Sequence, residues 1–416
     1  MNRRSRSEPL THSTRHFMEP MKIHSALSRA DITADAVDSV CREVATGLAG
    51  HQADLAFVFF SPHHTGSADF LASIIEERLH PKVLLGCSAE SIIEGRQEIE
   101  GQPALCLWAA HLPGASLVPF HLRFEQGEEG FTTTGWPADM PSPESSPSTL
   151  IIGEPFTTPV EALLGELRKR YPHGPAIGGM ASGAHQPGGN RLIYNGQAVE
   201  EGTVGVFVGG AVRIRTVVSQ GCRPIGDRFM ITQAEQNIVQ ELSGKPALER
   251  LREVFSLLSP AEQQQAERAL HLGIVIDEHK DHFERGDFLI RNLIGADQQT
   301  GGFAVGDIVK EGQTVQFQLR DAAAASEDFH ALLTGERAAQ GGLPPAGALI
   351  FSCNGRGQRF FRASHHDAGA IRDEMGSLPV AGFFAMGEIG PVGGNNFLHS
   401  YTASVALFVP ADSSST

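Results

Sequence analysis

The chain has 416 residues, a formal net charge of −15 and a hydrophobic fraction of 41%. This length and apolar content suffice for two domains with ordinary cores, and the acidic balance argues against a nucleic-acid-binding protein, which needs a basic face. Five scattered cysteines without a CxxC pair argue against a disulfide framework or a structural zinc site. A reducing compartment fits this pattern best, so we expect a cytoplasmic protein.

The N-terminal segment, MNRRSRSEPLTHSTRHF, is basic but contains no apolar stretch, so it is not typical of a secretory signal peptide. The sequence also lacks a run of about eighteen apolar residues, the minimum for a membrane-spanning helix. Short polar termini are usually loose, so we expect residues 1–30 to form a disordered N-terminal extension. Met18 and Met21 are alternative start positions within it.

One pattern recurs three times along the chain and indicates an internal repeat. Each copy has a short apolar run, an amphipathic stretch, a second apolar run ending in Gly-x-x-Ala, a polar glycine-rich loop and a third apolar run. Because a crossover helix makes the strands that it joins parallel, each copy predicts a βαββ-like unit. The opening strands are predicted at Leu55–Phe60, Ser148–Gly153 and Ala348–Cys353.

The Gly-x-x-Ala turns have two explanations. Small residues at a strand end avoid clashes in a tight turn, and they also open a crevice in which ligands bind at the edge of an α/β sheet. Recurrence at the same topological place favours the second explanation without removing the first. The turns are Gly86/Ala89, Gly178/Ala181 and Gly382/Ala385.

Residues 210–333, between the second and third copies, follow a different pattern. Three segments there alternate as strands do: VRIRTVVSQ, GDFLIRNLIGAD and QTVQFQLRD. Two further segments are predicted to be helices that begin with a capping box, Thr232 with Glu235 and Ser259 with Glu262. The predicted fold is therefore α/β, with mixed sheets built from three βαββ-like units plus an inserted α+β region.

With these elements in place, the sequence resembles the FIST family. The resemblance runs in the family's order from about residue 30, and it implies a FIST N-terminal domain over residues 31–210 and a FIST C-terminal domain over residues 211–416. The segments that carry it are GCSAESIIEGRQ (86–97), CRPIGDRFMITQAEQNIVQELSGKPALERL (222–251), FLIRNLIGAD (288–297), CNGRG (353–357) and AGFFAMGEIGPVGGNNFLHSYT (381–402).

The resemblance carries functional implications. FIST proteins are regarded as intracellular sensory modules for small ligands in bacterial signal transduction, and the same module occurs in eukaryotic F-box proteins. Some bacterial members are similar haem-binding sensors of nitric oxide. Since this chain shows no attached kinase, cyclase or methyl-accepting region, the resemblance implies that any signal leaves through a partner protein.

The CNGRG segment at the end of the third opening strand is the main candidate ligand site. Arg356 offers a planar fork for a carboxylate or a phosphate, and Gly355 and Gly357 let backbone N–H groups point at an anion. Glu388, which follows Gly387, would accept an amino group. This combination suits an amino-acid-like or anionic ligand.

The same residues allow two other interpretations. Arg356 and Glu388 could simply form an internal ion pair between two strand ends. Alternatively, Cys353 could be the nucleophile of an enzyme, with Glu388 or His399 as its base and the amides of residues 354–357, beginning at Asn354, as an oxyanion site.

Further candidate ligand-binding residues lie in the Gly-x-x-Ala loops and beside the last strand. They are Gly86, Cys87, Ser88, Gly382 and His399. The first of these loops has Glu90 after its alanine, where many family members have glycine, so a close approach of a ligand is less favoured there.

Metal and cofactor patterns are weak. The doublets His63–His64 and His365–His366 would point to opposite faces, and the acidic loop 277–284 is typical of a solvated hairpin, so we predict no metal site. The chain has no CxxCH segment, so haem would be held non-covalently. It also has no phosphate-binding glycine loop, which argues against a nucleotide site.

Taken together, these patterns predict a non-enzymatic module that binds a small polar ligand and signals through a partner protein. We expect it to bind no nucleic acid and to have no membrane span. The alternatives are a haem-based sensor of diatomic gas and a cysteine-nucleophile enzyme.

Overall fold

The computed structural model describes residues 19–128, 130–297, 300–339 and 344–411. The strands described there form four sheets of six or seven strands, and helices pack against them, so the α/β class is confirmed. Residues 22–28, which we expected to belong to a disordered extension, form a strand; residues 1–18 of that extension lie outside the described residues.

The first unit begins with a strand and a helix that precede the predicted repeat. Their order is β1 (Lys22–Ser28), α1 (Thr33–Gly47), β2 (Leu55–Phe60), α2 (Ala68–Leu79), β3 (Val83–Ser88), β4 (Ser91–Glu94), β5 (Gln97–Glu100) and β6 (Leu105–His111). The second unit follows directly, with β7 (Ala115–Gly127), β8 (Gly130–Thr134), β9 (Ser148–Gly153), α3 (Val160–Arg170), β10 (Ala176–Met180), β11 (Leu192–Tyr194), β12 (Gln197–Val199) and β13 (Thr203–Gly210).

The third unit is split by the inserted region. It opens with β14 (Val212–Ser219) and resumes with β22 (Gly347–Cys353), α7 (Gly357–Phe361), α8 (His366–Met375), β23 (Val380–Ala385), β24 (Glu388–Val392), β25 (Asn395–His399) and β26 (Ala403–Pro410). The insertion contains β15 (Cys222–Glu235), β16 (Ile238–Leu242), β17 (Lys245–Pro246), α4 (Ala247–Leu257), α5 (Pro260–Ala269), β18 (Leu270–Val275), β19 (Phe288–Asp297), β20 (Gly302–Val305), β21 (Thr314–Arg320) and α6 (Ala322–Ala339).

The three units share one sheet topology. In spatial order each sheet has a leading strand (β1, β7, β14), a last strand (β6, β13, β26), a first strand (β2, β9, β22) and a second strand (β3, β10, β23). The first and second strands are parallel, joined by a helix, and the other pairs are antiparallel.

Each polar loop between a second strand and a last strand is a β-hairpin that joins the sheet of another unit. Hairpin β4–β5 of the first unit pairs with β23 of the third, hairpin β11–β12 of the second pairs with β3 of the first, and hairpin β24–β25 of the third pairs with β10 of the second. The three sheets are therefore linked in a closed cycle by exchanged hairpins, which the sequence did not predict.

The Gly-x-x-Ala glycines have a packing reason. Each lies in a second strand, directly opposite a first-strand residue whose carbonyl oxygen would be 1.8–2.0 Å from an added Cβ atom. No side chain fits at that distance, so glycine is required by the close approach of two parallel strands. The glycine–partner pairs are Gly86 with Val58, Gly178 with Ile151, and Gly382 with Ile350.

The main core lies between the unit sheets. Phe59 of β2, Phe351 of β22 and Phe383 of β23 are fully buried, and the Phe383 ring centroid lies 5.0 Å from that of Phe59 and 5.6 Å from that of Phe351. Trp108 of β6 packs on Phe408 of β26 at 4.8 Å. Aromatic contacts between the first and third units thus fix the two sheets face to face.

The inserted region corrects one helix prediction. The segment from Ile231 to Leu242, predicted as a helix from the Thr232–Glu235 capping box, is a hairpin of β15 and β16. Val239 and Leu242 are fully buried, and β16 also pairs with β20. Pairing with distant strands therefore outweighs the local helix signal. The second capping box, Ser259 with Glu262, is confirmed at the start of α5.

None of the described helices is both long enough and apolar enough to cross a membrane.

Candidate functional site

The ends of the three first strands are equivalent positions. At each position, one residue at the end of the first strand donates its backbone N–H to a backbone carbonyl. That carbonyl stands just before the last strand of the same unit, and the N···O distance is 2.8–2.9 Å. This shared bond lets the three positions be compared directly. The donor–acceptor pairs are Ser61 with Ala104, Glu154 with Gly202, and Cys353 with Thr402.

In the first two units the side chain at this position is satisfied locally. Ser61 Oγ accepts the Ala104 N–H at 3.0 Å. Glu154 Oε2 accepts the backbone N–H of Phe156 at 2.8 Å, and its Oε1 accepts the Asn190 amide at 3.2 Å. A completely bonded polar side chain that ends a strand stabilises a turn, and nothing about it calls for a ligand.

The third unit differs. Cys353 Sγ accepts the Gly355 N–H at 3.4 Å, and the Cys353 thiol lies beside the Glu388 carboxylate. Glu388 is fully buried; its Oε2 accepts the Thr402 N–H at 3.0 Å, whereas its Oε1 has no partner among the described residues. Asn354 Oδ1 is likewise buried, with no partner in the described part of the chain. Two buried acceptor oxygens thus lack an N–H or O–H donor in the described structure, with only the neighbouring Cys353 thiol, a weak donor, beside the Glu388 carboxylate. Leaving them so is costly unless something binds them.

Burial controls the protonation of this site. It raises the pKa of Glu388 to about 8, although the Thr402 N–H and the charge of Arg356 favour the ionised form. Burial and the Glu388 carboxylate together raise the pKa of the Cys353 thiol to about 12. The thiol is therefore protonated at neutral pH, and Glu388 is protonated in most molecules and ionises as the pH rises through about 8.

Arg356 does not pair with Glu388. Its guanidinium is fully buried and binds Asp367 of α8 through two bonds, Nε to Oδ2 at 2.8 Å and Nη2 to Oδ1 at 2.9 Å. Burial opposes ionisation of Asp367, but the Arg356 charge outweighs it and holds the pKa of that carboxyl well below its usual range. The Arg356–Glu388 ion pair considered from the sequence is wrong, because Asp367 takes the guanidinium.

Asp367 is held from several sides. It accepts a bond from Ser352 Oγ at 2.6 Å, and His366 Nδ1 lies 2.9 Å from its Oδ1. His366 in turn reaches Ser326 of α6 through Nε2 at 2.9 Å and stacks on the ring of Phe361. This network anchors α8 and the CNGRG turn to each other.

A second guanidinium, from the inserted sheet, faces the CNGRG turn. Arg320 at the end of β21 lies between the rings of Phe360 and Tyr401, with its Cζ 3.9 Å and 4.3 Å from their centroids, and its Nη2 donates to the Gly355 carbonyl. Arg320 Nε is buried without a partner in the ranges that the structure describes. Tyr401 has a left-handed backbone, φ 64°, an unfavourable conformation for a bulky residue.

The predicted site residues separate into two groups. In the first group, the Cys353 thiol lies beside Glu388, the Gly355 N–H is bonded to Cys353 Sγ, and the Asn354 N–H is bonded to the Ala385 carbonyl, which comes shortly before Gly387 and Glu388. His399 pairs across the hairpin with Glu388, but it is buried and its Nε2 is bonded to the Gly390 carbonyl at 3.0 Å.

The other predicted residues lie in packed surroundings. Gly357 faces Glu100 of β5, whose Oε2 would lie 2.6 Å from a Cβ atom added to the glycine, while Gly86 and Gly382 lie inside strands. Cys87 belongs to the main core, and Ser88 Oγ accepts the Arg191 N–H at 2.9 Å.

Sequence reasoning missed Arg320, Asp367 and Tyr401 as members of this region. Tyr401 stood in a segment that carried the family resemblance, whereas Arg320 ended a strand without any motif. Arg320 and Gly355 are 35 residues apart in the chain, with α6 and β22 between them in the sequence, so no local pattern indicated their contact.

Comparisons with known proteins agree with one another. The model of the FIST N domain matches residues 54–245, and the model of the FIST C domain matches residues 247–391. Among the curated relatives is an uncharacterized protein of Mycobacterium tuberculosis strain H37Rv, 41% identical over 389 residues, which are 94% of this chain and 100% of the relative. An uncharacterized protein of Mycobacterium bovis is 42% identical over 364 residues, 87% of this chain and 92% of the relative.

Proposed function

Because this chain belongs to the FIST family, whose domains are associated with sensory and signalling roles, we propose that it is an intracellular sensory module that binds a small polar ligand at the Cys353–Glu388 site. The observation that carries the proposal is the pair of unsatisfied buried acceptors, Glu388 Oε1 and Asn354 Oδ1, within the described structure. A ligand with amino or amide hydrogens would satisfy both.

The repeated units supply an internal comparison. At the equivalent place in the second unit, Glu154 has both oxygens bonded by neighbouring groups of the chain. The same fold is therefore able to close such a position completely. The topology therefore does not force the third unit to leave acceptor oxygens without a hydrogen bond. This favours a ligand-binding role for those oxygens.

The ligand class follows from the charges around the site. Glu388 and Asn354 offer acceptors, and Arg320 offers a partly satisfied guanidinium in which Nε is buried and lacks a partner among the described residues. Since Arg356 is occupied by Asp367, Arg320 replaces it as the group that would bind a carboxylate. An amino group at one end and a carboxylate at the other describe an amino-acid-like ligand.

The signal from the ligand site would be transmitted through the sheet of the inserted region. Arg320 belongs to β21 of that sheet, whereas Cys353 and Glu388 belong to the third unit and its exchanged hairpin. A ligand that contacts both would favour one arrangement of the two, and a partner protein would read the difference.

The experiment is a thermal-shift screen of amino acids and related small metabolites against the full chain, followed by calorimetric titration of each hit. We expect Glu388→Gln to weaken binding of a true ligand by about 10-fold or more, because one charge-assisted bond is lost. Glu154→Gln is the control, since it changes the same residue type at the strand end that corresponds to Cys353 in the second unit, outside the proposed site, and should leave affinity unchanged. A ligand that binds equally well to the Glu388→Gln and Arg320→Gln variants would refute this site.

The two alternatives give different results in the same preparation. A haem protein would show a Soret band after expression with haem supplied, and a cysteine-nucleophile enzyme would be inactivated by rapid alkylation of Cys353. The raised pKa of the Cys353 thiol favours neither rapid alkylation nor a thiolate mechanism.

A further inference from the structure

A group of two histidines and one carboxylate lies near the start of β1, on elements that contribute nothing to the proposed ligand site. Glu19 precedes β1, His51 lies in the connection between α1 and β2, and His111 ends β6. One ligand atom from each of the three lies within 4.8 Å of the other two. We propose that Glu19, His51 and His111 form a binding site for a Zn²⁺ ion.

The distance from the Glu19 carboxylate to each histidine is close to the spacing of tetrahedral ligands. Glu19 Oε1 is 3.4 Å from His51 Nδ1, and Glu19 Oε2 is 3.6 Å from His111 Nε2. With zinc–ligand bonds of about 2.0–2.2 Å and tetrahedral angles, neighbouring ligand atoms stand about 3.4 Å apart. The two imidazole rings, whose centroids are 4.7 Å apart, are less exposed than Glu19, and water would take the fourth position.

The tautomer of His111 supports the assignment. Its Nδ1 faces two groups that only accept hydrogen bonds, Asp54 Oδ2 and the Gln52 carbonyl, each at 3.2 Å. The proton of a neutral His111 therefore lies on Nδ1, and the Nε2 lone pair faces the Glu19 carboxylate. Nε2 is buried and has no hydrogen-bond partner among the described residues. Two acceptors, the Nε2 lone pair and the Glu19 carboxylate, therefore face each other, and a cation between them would bind both.

Asp54 provides the outer support that metal-bound histidines require. Its side chain is buried, and Oδ2 also accepts the Leu112 N–H at 2.6 Å while Oδ1 binds Lys82 at 2.7 Å. A fixed carboxylate behind Nδ1 fixes the orientation of the imidazole ring and directs its opposite nitrogen toward the ion.

One contact competes with the ion. Lys22 Nζ lies 2.8 Å from His51 Nε2, so the ammonium donates to that nitrogen and leaves the proton of His51 on Nδ1. Zinc binding at Nδ1 moves this proton to Nε2, and the half-buried Lys22 side chain must then turn away. Removal of the lysine should consequently strengthen binding, which an ordinary histidine–carboxylate ion pair would not predict.

The test is competition for Zn²⁺ between a chromophoric chelator and the full chain, after removal of metals with EDTA, at pH 7.5. We expect one equivalent bound by the wild type and an affinity loss of more than 100-fold in His111→Ala, because loss of a ligand exceeds the 10–100-fold effect of outer groups. Lys22→Ala should bind several-fold more tightly.

Two variants protect the test against misfolding and unspecific binding. Glu19 is exposed, so Glu19→Gln should fold normally and still bind at least about 10-fold more weakly. His173→Ala, which removes an exposed histidine after α3, should bind as the wild type does. Absence of binding by the wild type, or equal affinity in wild type, Glu19→Gln and His111→Ala, would overturn the proposal.

Discussion

Glu154 and Cys353 occupy the same position in two units of one fold, and their backbone N–H groups make the same bond to the last strand of each unit. Around Glu154 every side-chain oxygen is bonded, whereas the carboxylate beside Cys353, that of Glu388, keeps one oxygen without a partner in the described structure. Comparison of the repeated units thus singles out Glu388 as a buried carboxylate that is not fully hydrogen-bonded within the described structure.

The ionisation of Glu388 should appear in the pH dependence of stability. Its pKa is about 8 in the folded chain and about 4.5 for an ordinary glutamate, so the folded state binds the extra proton between these values. Its contribution to the free energy of unfolding therefore falls as pH rises from about 4.5 to about 8. Glu388→Gln cannot ionise and should lose this decline.

The measurement is urea denaturation of wild type and Glu388→Gln at several pH values. We expect the variant to gain stability relative to the wild type across this window, by on the order of a few kcal/mol. His271 and His399, whose pKa values burial lowers to about 4, give the opposite slope below pH 6.5, but they are present in both proteins and cancel in the difference. A constant difference from pH 5 to 8 would contradict the raised pKa.

The Cys353 thiol should react slowly with iodoacetamide at neutral pH. Since thiolate is the reactive form and the pKa is about 12, the labelling rate should keep rising well above pH 8. A Ser145→Cys variant provides an ordinary exposed thiol for comparison on the same protein. Mass spectrometry of the labelled peptides would show the difference, and equal rates at the two positions at pH 7.5 would contradict the prediction.

Removal of the Arg356 side chain should destabilise the protein strongly. Arg356→Ala leaves the buried Asp367 carboxylate without its main partner, which costs about 3–5 kcal/mol in comparable buried pairs. Arg359→Ala, three residues further on and exposed, should change the free energy of unfolding by less than about 0.5 kcal/mol. Chemical denaturation distinguishes the two, and similar stabilities would show that the ion pair contributes nothing.

Gly382→Ala should also be destabilising, for a steric reason. The new methyl group would lie 1.9 Å from the Ile350 carbonyl oxygen, so β22 and β23 would have to separate. Overpacking of this kind costs about 1–3 kcal/mol. Gly369→Ala in α8 has nothing within 4 Å of the added methyl group and should be neutral or stabilising by up to about 1 kcal/mol. If the denaturation midpoints moved together, backbone proximity would not be the reason for the glycine.

The sequence predicted the features that local pattern determines. Apolar runs located β2, β9 and β22, and the Ser259–Glu262 capping box located the start of α5. The same kind of local signal failed at Thr232 and Glu235, because β15 and β16 obtain their partners from strands far along the chain.

The candidate site was predictable in part. Cys353 and Glu388 are unusual residue types at strand ends, and the structure places the Cys353 thiol beside the Glu388 carboxylate. The partner of Arg356 was not predictable, since Asp367 stands in an ordinary helical segment and pairs with it through tertiary packing alone. Arg320 escaped notice for the same reason.

The exchanged hairpins have a consequence for biosynthesis. Glu98 of β5 accepts the Ala368 N–H at the start of α8, 270 residues later in the chain. As the ribosome releases the first unit, β4 and β5 have no neighbour, and β3 lacks the edge that β11 later covers. Nascent chains should therefore expose unpaired strand edges until translation is nearly finished, and they should depend on chaperones that shield such edges from aggregation.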